Sequence, residues 1–383
     1  MNKIICRMKN YIQPFEKKLA LRELQALSRT SPIPYNSSNS DQDIYIIDSN
    51  ISFEFLQERL TYWEELNIPN NLTEYTRQVF KEATVNAAKN GNGQKILQLK
   101  FPFREEIPIP NRRVLRYGPH GIHEYRGKFF PQLVRSLLNI AGINERSIIL
   151  DTMCGSGTTP LEAVLLGCKA FGMDMNPLSV LISKAKCEIT NVTEGKLLEE
   201  SEKLKHQIIR AKKRNQMRWF EQLPESSQKY LMRWFCIDSL IEMDIIISHI
   251  NNYANSKFKN FFKVCLSNIL RKISYQKIDD LRVRRDEYSK TQTSVLEEFI
   301  NELQRSVKLV VAFLYENKNL KVGEAEIFKG DATKSDKIIN KIIGKVDAIV
   351  TSPPYATALP YLDTDRLSPV SYTHLTLPTS FLV

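Results

Sequence analysis

The sequence predicts an α/β fold built around a parallel sheet, and two observations lead to this prediction. Residues from about 120 to 190 alternate helix, strand, glycine-rich turn, helix and strand, which is the order of a parallel α/β unit. Strand-like stretches return after residue 320 in "AEIFKGDATK" and "VDAIVTSPPY". Because a long helical segment at about 195 to 320 separates them, we predict one sheet domain with a helical insertion and an N-terminal α+β extension.

The size and composition of the chain predict a globular protein with a sizeable core, since 383 residues contain 42% hydrophobic side chains. No apolar stretch reaches the length of a membrane span, and the first residues lack the apolar core and cleavage site of a signal peptide. We therefore expect a cytoplasmic protein with no membrane partner. The six cysteines lie without CxxC or Cys/His spacing, so neither a metal site nor a disulfide framework is predicted.

The N-terminal extension, residues 1–110, is predicted to mix helices and strands, and its role is left open. "FEKKLALRELQAL" has the pattern of a helix and "IYII" that of a short strand. Residues 53–66 and 72–88 form two amphipathic stretches. No pattern typical of catalysis occurs here.

The stretch "SIILDTMCGSGTTPLEAVLLGCKAFGMDM" predicts a β-α-β unit with a glycine-rich turn. A buried strand leads into Gly155 and Gly157, which allow a ligand to approach the backbone closely. We expect the next helix to have Thr159 as its N-cap and Pro160 as its first residue, with Glu162 completing a capping box.

Two acids flank this turn and indicate what it binds. Asp174 ends the next strand, 19 residues after Gly155, where an acid commonly holds the hydroxyls of a ribose. Pro160 stands where a dinucleotide-binding motif has its third glycine, and Asp151 suits a cationic ligand better than a pyrophosphate. S-adenosylmethionine fits this arrangement, because it offers an amino group to Asp151, a carboxylate to the helix N-terminus and a ribose to Asp174.

The positive charge of the chain is concentrated in the insertion. Residues 205–290 contain 18 Lys and Arg against 9 Asp and Glu, which is +9 of the net charge of +11. Such a basic surface is typical of a protein that binds nucleic acid, although a solvated helical surface has the same composition. The charged loop "DDLRVRRDEYSK" carries Arg282, Arg284 and Arg285, our candidates for contacts to phosphates.

Two helices of the insertion are predicted with defined faces or ends. Apolar residues recur with a period of 3.6 from Phe258 to Ile273, which predicts a helix with one buried face. Another helix is predicted to begin at Ser294, with Glu297 in a capping box.

Four stretches resemble, in this order, the motifs of the amino-group DNA methyltransferases. "HEYRGKFFPQLVRSLL" is similar to motif X and "DTMCGSGTT" to motif I, although Thr152 and Met153 stand where the family usually has Pro-Phe. "GDATK" stands where the family has an acid near the adenine amino group, and "TSPPY" is similar to motif IV. The resemblance spans about 235 residues and implies a Rossmann-like sheet of the S-adenosylmethionine-dependent methyltransferases.

The resemblance also assigns residues to the cofactor site. The matching positions are Lys128 and Phe129 in motif X, Asp151, Cys154, Gly155, Ser156 and Gly157 in motif I, Asp174 after the next strand, and Asp331 in "GDATK".

The corner "TSPPY" would carry the chemistry. Its prolines end the strand predicted at 346–350 and stiffen the chain that follows. An exocyclic amine is a poor nucleophile, so acceptors aimed at its N–H bonds must localise the nitrogen lone pair. We expect the Ser352 side chain and the fixed carbonyl of Pro353, followed by Pro354, to supply these acceptors. Tyr355 would stack on a base rotated out of the duplex, and no metal or covalent nucleophile is required.

The substrate prediction follows from the serine. Ser352 favours cytosine N4, because the serine form of motif IV is most often associated with that product in the family. N6-adenine methylation of DNA, N2-guanine methylation of RNA and a nucleic-acid-binding module without catalysis stay open as alternatives. The resemblance implies double-stranded DNA as partner and raises a restriction endonuclease as a second one.

These patterns divide the chain into five segments: 1–110, the first half of the methyltransferase domain at 111–194, the insertion at 195–320, the second half at 321–368 and a tail at 369–383. The tail "PVSYTHLTLPTS" resembles a translated sequencing adaptor, so we exclude it from fold prediction. Because the later strands of the family would follow motif IV, we expect the natural gene to continue past Ser368. We also expect the chain as given to have an exposed sheet edge and low solubility.

Overall fold

Two sheets and the helices around them make up the fold. The computed structural model describes residues 2–35, 43–68, 73–90, 109–125, 127–211, 217–277, 284–286, 294–334 and 340–353. One sheet has five antiparallel strands and the other has four parallel strands. The predicted α/β fold with a parallel sheet is therefore confirmed.

The N-terminal unit contains the antiparallel sheet and three helices. Its elements are β1 (Asn2–Met8), α1 (Pro14–Ser28), β2 (Ile33–Pro34), β3 (Ile44–Ser49), α2 (Phe53–Arg59), β4 (Trp63–Asn67), β5 (Thr73–Tyr75) and α3 (Arg77–Asn90). The strands lie in the order β2-β3-β1-β4-β5, so the first strand of the chain is central. Its alternate residues Ile4, Cys6 and Met8 are buried in the core of the unit.

Two features of this unit differ from the sequence predictions. The amphipathic stretch 53–66 is divided between α2 and β4, because Leu60 is extended, with φ −61° and ψ 136°, and ends the helix. Strand β1 is absent from the sequence predictions. The alternation of Ile4, Cys6 and Met8 is the signal that would have revealed it.

The parallel sheet lies after the N-terminal unit. Its elements are α4 (Pro131–Ile140), β6 (Ile148–Asp151), α5 (Thr158–Leu165), β7 (Lys169–Asp174), α6 (Pro177–Glu188), β8 (Glu324–Lys329) and β9 (Ala348–Ile349). The strand order is β8-β7-β6-β9. The chain therefore builds outward from β6 in one direction and then returns to its other side. That reversal makes the border of β6 and β9 a topological switch point, where ligands of such sheets bind at the carboxyl ends of the strands.

Helix α5 begins earlier than predicted. Gly157 is its N-cap, with φ +78°, and Thr158 is its first residue. A residue with a Cβ atom is strained at this φ, so glycine is favoured here. Thr159 and Pro160 therefore lie inside the first turn, and the predicted capping box with Glu162 does not form.

Strand β9 is shorter and more exposed than predicted. The sequence predicts a buried strand at 346–350, but the strand covers Ala348–Ile349 and the Ile349 side chain is 61% exposed. Among the described strands β9 pairs with β6 alone and forms the edge of the sheet. No described strand covers its outer side.

The insertion is helical, as predicted, and shares a core with the parallel sheet domain. Leu178, Leu181 and Ile182 of α6 belong to the same hydrophobic cluster as the apolar stripe of the predicted helix from Phe258 to Ile273. The Ser294 hydroxyl accepts a hydrogen bond from the Glu297 amide, as expected of the helix N-cap. The helices of the insertion are α7 (Glu194–Arg210), α8 (Arg218–Glu221), α9 (Glu225–Trp234), α10 (Ile237–Asn251), α11 (Ser256–Ile269) and α12 (Val295–Glu316).

The described residues offer neither a membrane-spanning helix nor a metal-binding cluster. Within the described ranges, no helix is both long and apolar enough to cross a bilayer. The same residues contain no group of three or more His, Cys, Asp or Glu side chains that could hold a metal ion.

Candidate active site

The switch point brings together residues that are about 200 positions apart in the chain. Asp151 ends β6, and Thr351, Ser352 and Pro353 follow β9. The two strands are parallel, with Leu150 opposite Ile349, and the Val350 amide donates to the Leu150 carbonyl at 3.1 Å. The glycine turn of motif I and the start of the "SPPY" corner therefore lie side by side.

The glycine turn is held by its neighbours on both sides. Gly155 has φ +50°, and its amide donates to the Asp174 carboxylate at 2.9 Å. A Cβ atom on Gly157 would lie 2.6 Å from the Ser183 hydroxyl and 2.8 Å from the Ser183 Cα atom. Because part of that clash is with backbone, no side-chain rotation would relieve it. The turn is therefore pressed against α6 in one conformation.

Asp174, predicted to hold a ribose, also anchors the turn. One of its carboxylate oxygens accepts from the Gly155 amide, and the other accepts from the Asn176 amide at 2.8 Å. Burial raises the pKa of Asp174, and the amides of Asn176 and Gly155 and the Ser179 hydroxyl oppose this rise. Each oxygen keeps a further lone pair, so Asp174 can hold the turn and accept from a ribose hydroxyl.

Asp151 is a buried carboxyl group, 2% exposed, at the edge where a ligand would bind. Burial raises its pKa to about 6, against the opposing effects of the Thr351 hydroxyl, the Met153 amide and the Thr159 hydroxyl; the negative charge of Asp174 adds to the rise. The Met153 amide donates to it at 3.1 Å. None of these neighbours is a cation, so an amino group of a ligand would be the first positive charge among them.

The residues at the start of α5 fit the carboxylate end of S-adenosylmethionine. The hydroxyls of Ser156 and Thr158 are buried and have no hydrogen-bond partner within the described part of the chain. They lie beside the helix N-terminus, whose free amides attract anions. With Asp151 for the amino group and Asp174 for the ribose, each polar part of the cofactor has a matching group.

Cys154 packs within the turn. Its side chain is buried, its sulfur lies 3.7 Å from the Ser183 hydroxyl, and burial raises the pKa of its thiol well above the ordinary value. The thiol is therefore neutral and lines the turn without a charge.

The motif X side chains predicted to cover the cofactor make contacts within the protein. The Lys128 ammonium donates to the His120 carbonyl at 3.0 Å, and Phe129 packs against the hydrophobic cluster of α4 and β6. Tyr125 contacts the turn instead, since a Cβ atom on Gly155 would lie 3.4 Å from its ring, and its hydroxyl is 2.8 Å from the Ser179 hydroxyl. Roles for Lys128 and Phe129 at the cofactor remain predictions.

Asp331 caps the turn that follows β8. Its carboxylate accepts from the Thr333 amide at 2.9 Å and from the Thr333 hydroxyl at 2.8 Å, and these hydrogen bonds lower its pKa. Because β7 separates β8 from β6, Asp331 is nearer to the end of β7 than to Asp151. A contact of Asp331 with the adenine of the cofactor stays a prediction.

Sequence reasoning missed one apolar residue at the rim of the site. Met175, between Asp174 and Asn176, is 67% exposed although it is large and apolar. Its position directly after the strand-ending acid is the signal that could have identified it, because a flat apolar ligand bound at Asp174 would cover it.

A second buried carboxylate fixes the helix behind the glycine turn. Glu162 of α5 accepts from the Tyr117 hydroxyl at 2.9 Å, from His120 at 2.7 Å and from Arg135 of α4 at 3.2 Å. Burial alone would raise the pKa of Glu162, but the His120 hydrogen bond and the charge of Arg135 outweigh it and lower the pKa to about 2. Glu162 is thus an anchor of α5 against motif X and not the capping residue that the sequence predicts.

The remaining predicted residues are described in part. Ser352 is half-buried and Pro353 is exposed, while Pro354, Tyr355 and Arg282 lie outside the described residues. Arg284 and Arg285 are exposed on a short antiparallel bridge, in which Arg285 pairs with Gln276. The Arg285 guanidinium lies 5.4 Å from the centre of the Tyr275 ring.

Similarity to known proteins agrees with this geometry. Residues 123–249 match the RMKL-like methyltransferase domain. The chain is 26% identical to the type II methyltransferase M.MvaI of Kocuria varians, over 65% of this chain and 56% of that protein. It is 25% identical to the type II methyltransferase M.BsoBI of Geobacillus stearothermophilus, over 69% of this chain and 55% of that protein.

A shorter similarity points to an RNA enzyme. Over 21% of this chain and 24% of the relative, the sequence is 34% identical to a tRNA (guanine(10)-N2)-dimethyltransferase of Methanocaldococcus jannaschii. The chain spans about half the length of the two type II methyltransferases it matches. In its parallel sheet and in the matched domain, the chain is therefore similar to S-adenosylmethionine-dependent methyltransferases.

Proposed function

We propose that this protein methylates an exocyclic amino group of a base in double-stranded DNA, with cytosine N4 as the favoured acceptor. The observation that carries the proposal is the parallel pairing of β6 and β9, in which the Val350 amide bonds to the Leu150 carbonyl. This pairing brings the start of the "SPPY" corner next to Asp151. A methyl donor bound over the glycine turn would then face an amine held at the corner.

The proposed chemistry needs only hydrogen-bond acceptors from the protein. S-adenosylmethionine supplies an electrophilic methyl group when bound. The Ser352 hydroxyl and the Pro353 carbonyl accept hydrogen bonds from the two N–H groups of the base amine, which localises the nitrogen lone pair and stabilises the developing positive charge. The nitrogen bonds to the methyl carbon as the bond from that carbon to the sulfonium sulfur breaks, and the surplus proton on the nitrogen passes to solvent. Tyr355 stacks on the flipped base, and Pro354 keeps the corner rigid.

DNA is favoured as the substrate by the relatives and by the charge of the insertion. Both longer matches carry the designation type II methyltransferase. The segment 205–290 has an excess of nine positive charges, with Arg284 and Arg285 exposed. We assign contacts with DNA phosphates to the loop of Arg282, Arg284 and Arg285. A restriction endonuclease is the proposed protein partner. A DNA substrate agrees with the cytoplasmic location that the sequence predicts.

A second candidate is N2-methylation of guanine in RNA, favoured by the similarity to the tRNA dimethyltransferase. The two candidates share the cofactor site and differ in the nucleic acid bound. A binding module without catalysis would bind DNA and transfer nothing. N6-adenine remains the alternative acceptor on DNA.

Transfer of labelled methyl groups separates these candidates. The chain is incubated with methyl-labelled S-adenosylmethionine and, in parallel, with genomic DNA and with tRNA. We expect label on DNA, its loss in Tyr355→Ala, and its partial retention in Tyr355→Phe, which keeps the ring for stacking. Label on tRNA alone would refute the DNA assignment, and DNA binding without transfer to either nucleic acid would support the binding module.

A further inference from the structure

Thr351 lies between the two halves of the site. It follows Val350, whose amide bonds to the Leu150 carbonyl, and it precedes Ser352 directly. Its hydroxyl lies beside the Asp151 carboxyl group and stabilises the ionised form. Through this side chain, the stretch that carries motif IV reaches Asp151, the residue of motif I that is predicted to bind the amino group of the cofactor.

The Thr351 hydroxyl has no other task in the described part of the structure. Its oxygen is buried and makes no hydrogen bond of ordinary geometry with any described residue, so Asp151 is near it without a formed hydrogen bond. A buried hydroxyl without a partner costs stability, so its presence beside Asp151 needs an explanation. Valine has the same shape and would remove that cost.

The other groups around Asp151 come from three elements. The Met153 amide belongs to the glycine turn, the Thr159 hydroxyl to α5 and the Asp174 carboxylate to the end of β7. The nearby Cys154 thiol is neutral. The dipoles of two hydroxyls and an amide thus stabilise the ionised form of Asp151. Of these groups, the Thr351 hydroxyl is the one that follows strand β9 and precedes the catalytic corner.

We propose that Thr351 is a positioning residue that couples the cofactor pocket to the catalytic corner. Its hydroxyl keeps the Asp151 carboxylate ready for the amino group of S-adenosylmethionine, and the occupied carboxylate in turn holds Thr351 and the adjoining Ser352 in place. The first half concerns the cofactor alone, while the second rests on the proposed function of the "SPPY" corner.

The first consequence is a pH dependence of cofactor binding. Asp151 must be ionised to bind an ammonium group, so affinity falls as the pH drops through the pKa of this carboxyl group, which is about 6. Removing the Thr351 hydroxyl removes a stabiliser of the ionised form and moves that fall to higher pH. The second consequence is a lower transfer rate at saturating cofactor, because Ser352 loses its link to the occupied pocket.

The test measures S-adenosylmethionine affinity by titration calorimetry from pH 5 to 7.5 in the full chain. In the wild type we expect about a tenfold loss of affinity per pH unit below the midpoint. Thr351→Val should move the midpoint up by about half a unit or more, and Thr351→Ser, which keeps the hydroxyl, should match the wild type. Thr84→Val is the matched control, because it removes a buried hydroxyl of α3 that bonds to the Lys81 carbonyl.

Each outcome bears on a different claim. Superimposed profiles of the wild type and Thr351→Val would overturn the inference, and so would a Thr351→Ser variant that behaves like valine. Single-turnover transfer to DNA at saturating cofactor and pH 7.5 should be at least about tenfold slower in Thr351→Val and unchanged in Thr84→Val. A wild type that binds the cofactor with the expected profile but transfers to no DNA would refute the proposed function and leave the Thr351–Asp151 contact supported.

Discussion

Asp151 and Glu162 show how position alone gives two buried carboxyl groups opposite properties. The described groups that stabilise the ionised form of Asp151 are two hydroxyls and an amide, none of them a cation, and burial raises its pKa to about 6. Glu162 contacts the cation Arg135 and accepts three hydrogen bonds, so its pKa is lowered to about 2. Uncompensated charge of the first kind is typical of a binding site, and compensated charge of the second kind is typical of a structural anchor.

Replacing Asp151 should raise the free energy of unfolding and abolish cofactor binding. Asp151→Asn removes a carboxylate that is costly to ionise in the folded state, so we expect the free energy of unfolding at pH 7.5 to rise by about 2 kcal/mol while S-adenosylmethionine binding is lost. The folded pKa is raised, so the stability linked to the protonated group is present below the ordinary pKa of 3.8 and is lost as the pH rises through about 6. The gain should therefore vanish near pH 4.

Urea denaturation at pH 4 and pH 7.5 measures this difference. A variant that is less stable than the wild type at pH 7.5 would show that Asp151 is a structural residue rather than a ligand site.

The sequence predicted which residues lie around the glycine turn but not the contacts they make. Asp151, Gly155, Gly157 and Asp174 were predictable because a glycine turn between two strand-ending acids is a local pattern. The role of Glu162 depends on partners 27 to 45 residues away, which no local pattern contains. The contact of Thr351 with Asp151 was hidden for the same reason, since it depends on which strand lies next to β6.

At the scale of elements, hydrophobic periodicity predicted a helix and its buried face correctly, whereas the start of α5 and the burial of β9 were predicted wrongly. The stripe of α11 was predictable because its apolar residues recur at the helical period and are all buried. The start of α5 was misplaced because Thr159 and Glu162 resemble a capping box, whereas the left-handed Gly157 decides where the helix begins. β9 was predicted as buried because an apolar run does not reveal whether another strand lies beside it.

The glycine turn gives a prediction at this scale. Gly157→Ala places a Cβ atom against the Ser183 backbone in addition to forcing a strained φ, so we expect S-adenosylmethionine affinity to fall by about tenfold or more. Gly142→Ala is the matched control, because Gly142 has a similar φ of +71° and no atom within 4 Å of the added Cβ. It should lose about 1 kcal/mol of stability and keep its affinity.

Titration of both alanine variants with the cofactor separates the effect of the steric clash with Ser183 from the effect of the strained φ alone. Equal affinity in the two variants would mean that the packing of the turn against α6 is unimportant for binding.

At the scale of the whole molecule, the N-terminal unit is joined to the parallel sheet domain by buried hydrogen bonds. Asn139 of α4 donates to Glu23 at 2.7 Å and to the Arg59 carbonyl at 2.9 Å, and it accepts from the Arg59 side chain at 2.8 Å. Arg59 also donates to the Ile143 carbonyl at 2.6 Å. Because α4 contains the second half of the motif X stretch, this contact links the N-terminal unit to the segment whose Tyr125 contacts the glycine turn. We therefore propose that residues 1–110 brace the methyltransferase domain.

Asn139→Ala tests this brace. It would leave Glu23 and Arg59 buried with partners missing, so we expect a loss of about 3 kcal/mol in the free energy of unfolding. Asn67→Ala, which removes a solvent-facing hydrogen bond to Thr73, should change stability by less than about 0.5 kcal/mol. Equal stability of both variants in thermal denaturation would contradict the assignment of Asn139 as a buried link.

The central claim is that the joined motifs methylate a base amine in DNA, and nucleoside mass spectrometry tests it most directly. DNA incubated with the protein and S-adenosylmethionine is digested to nucleosides and compared with a sample treated with Tyr355→Ala. We expect N4-methylcytosine in the first sample and none in the second. Methylation found only in tRNA, or on a carbon atom of cytosine, would contradict it.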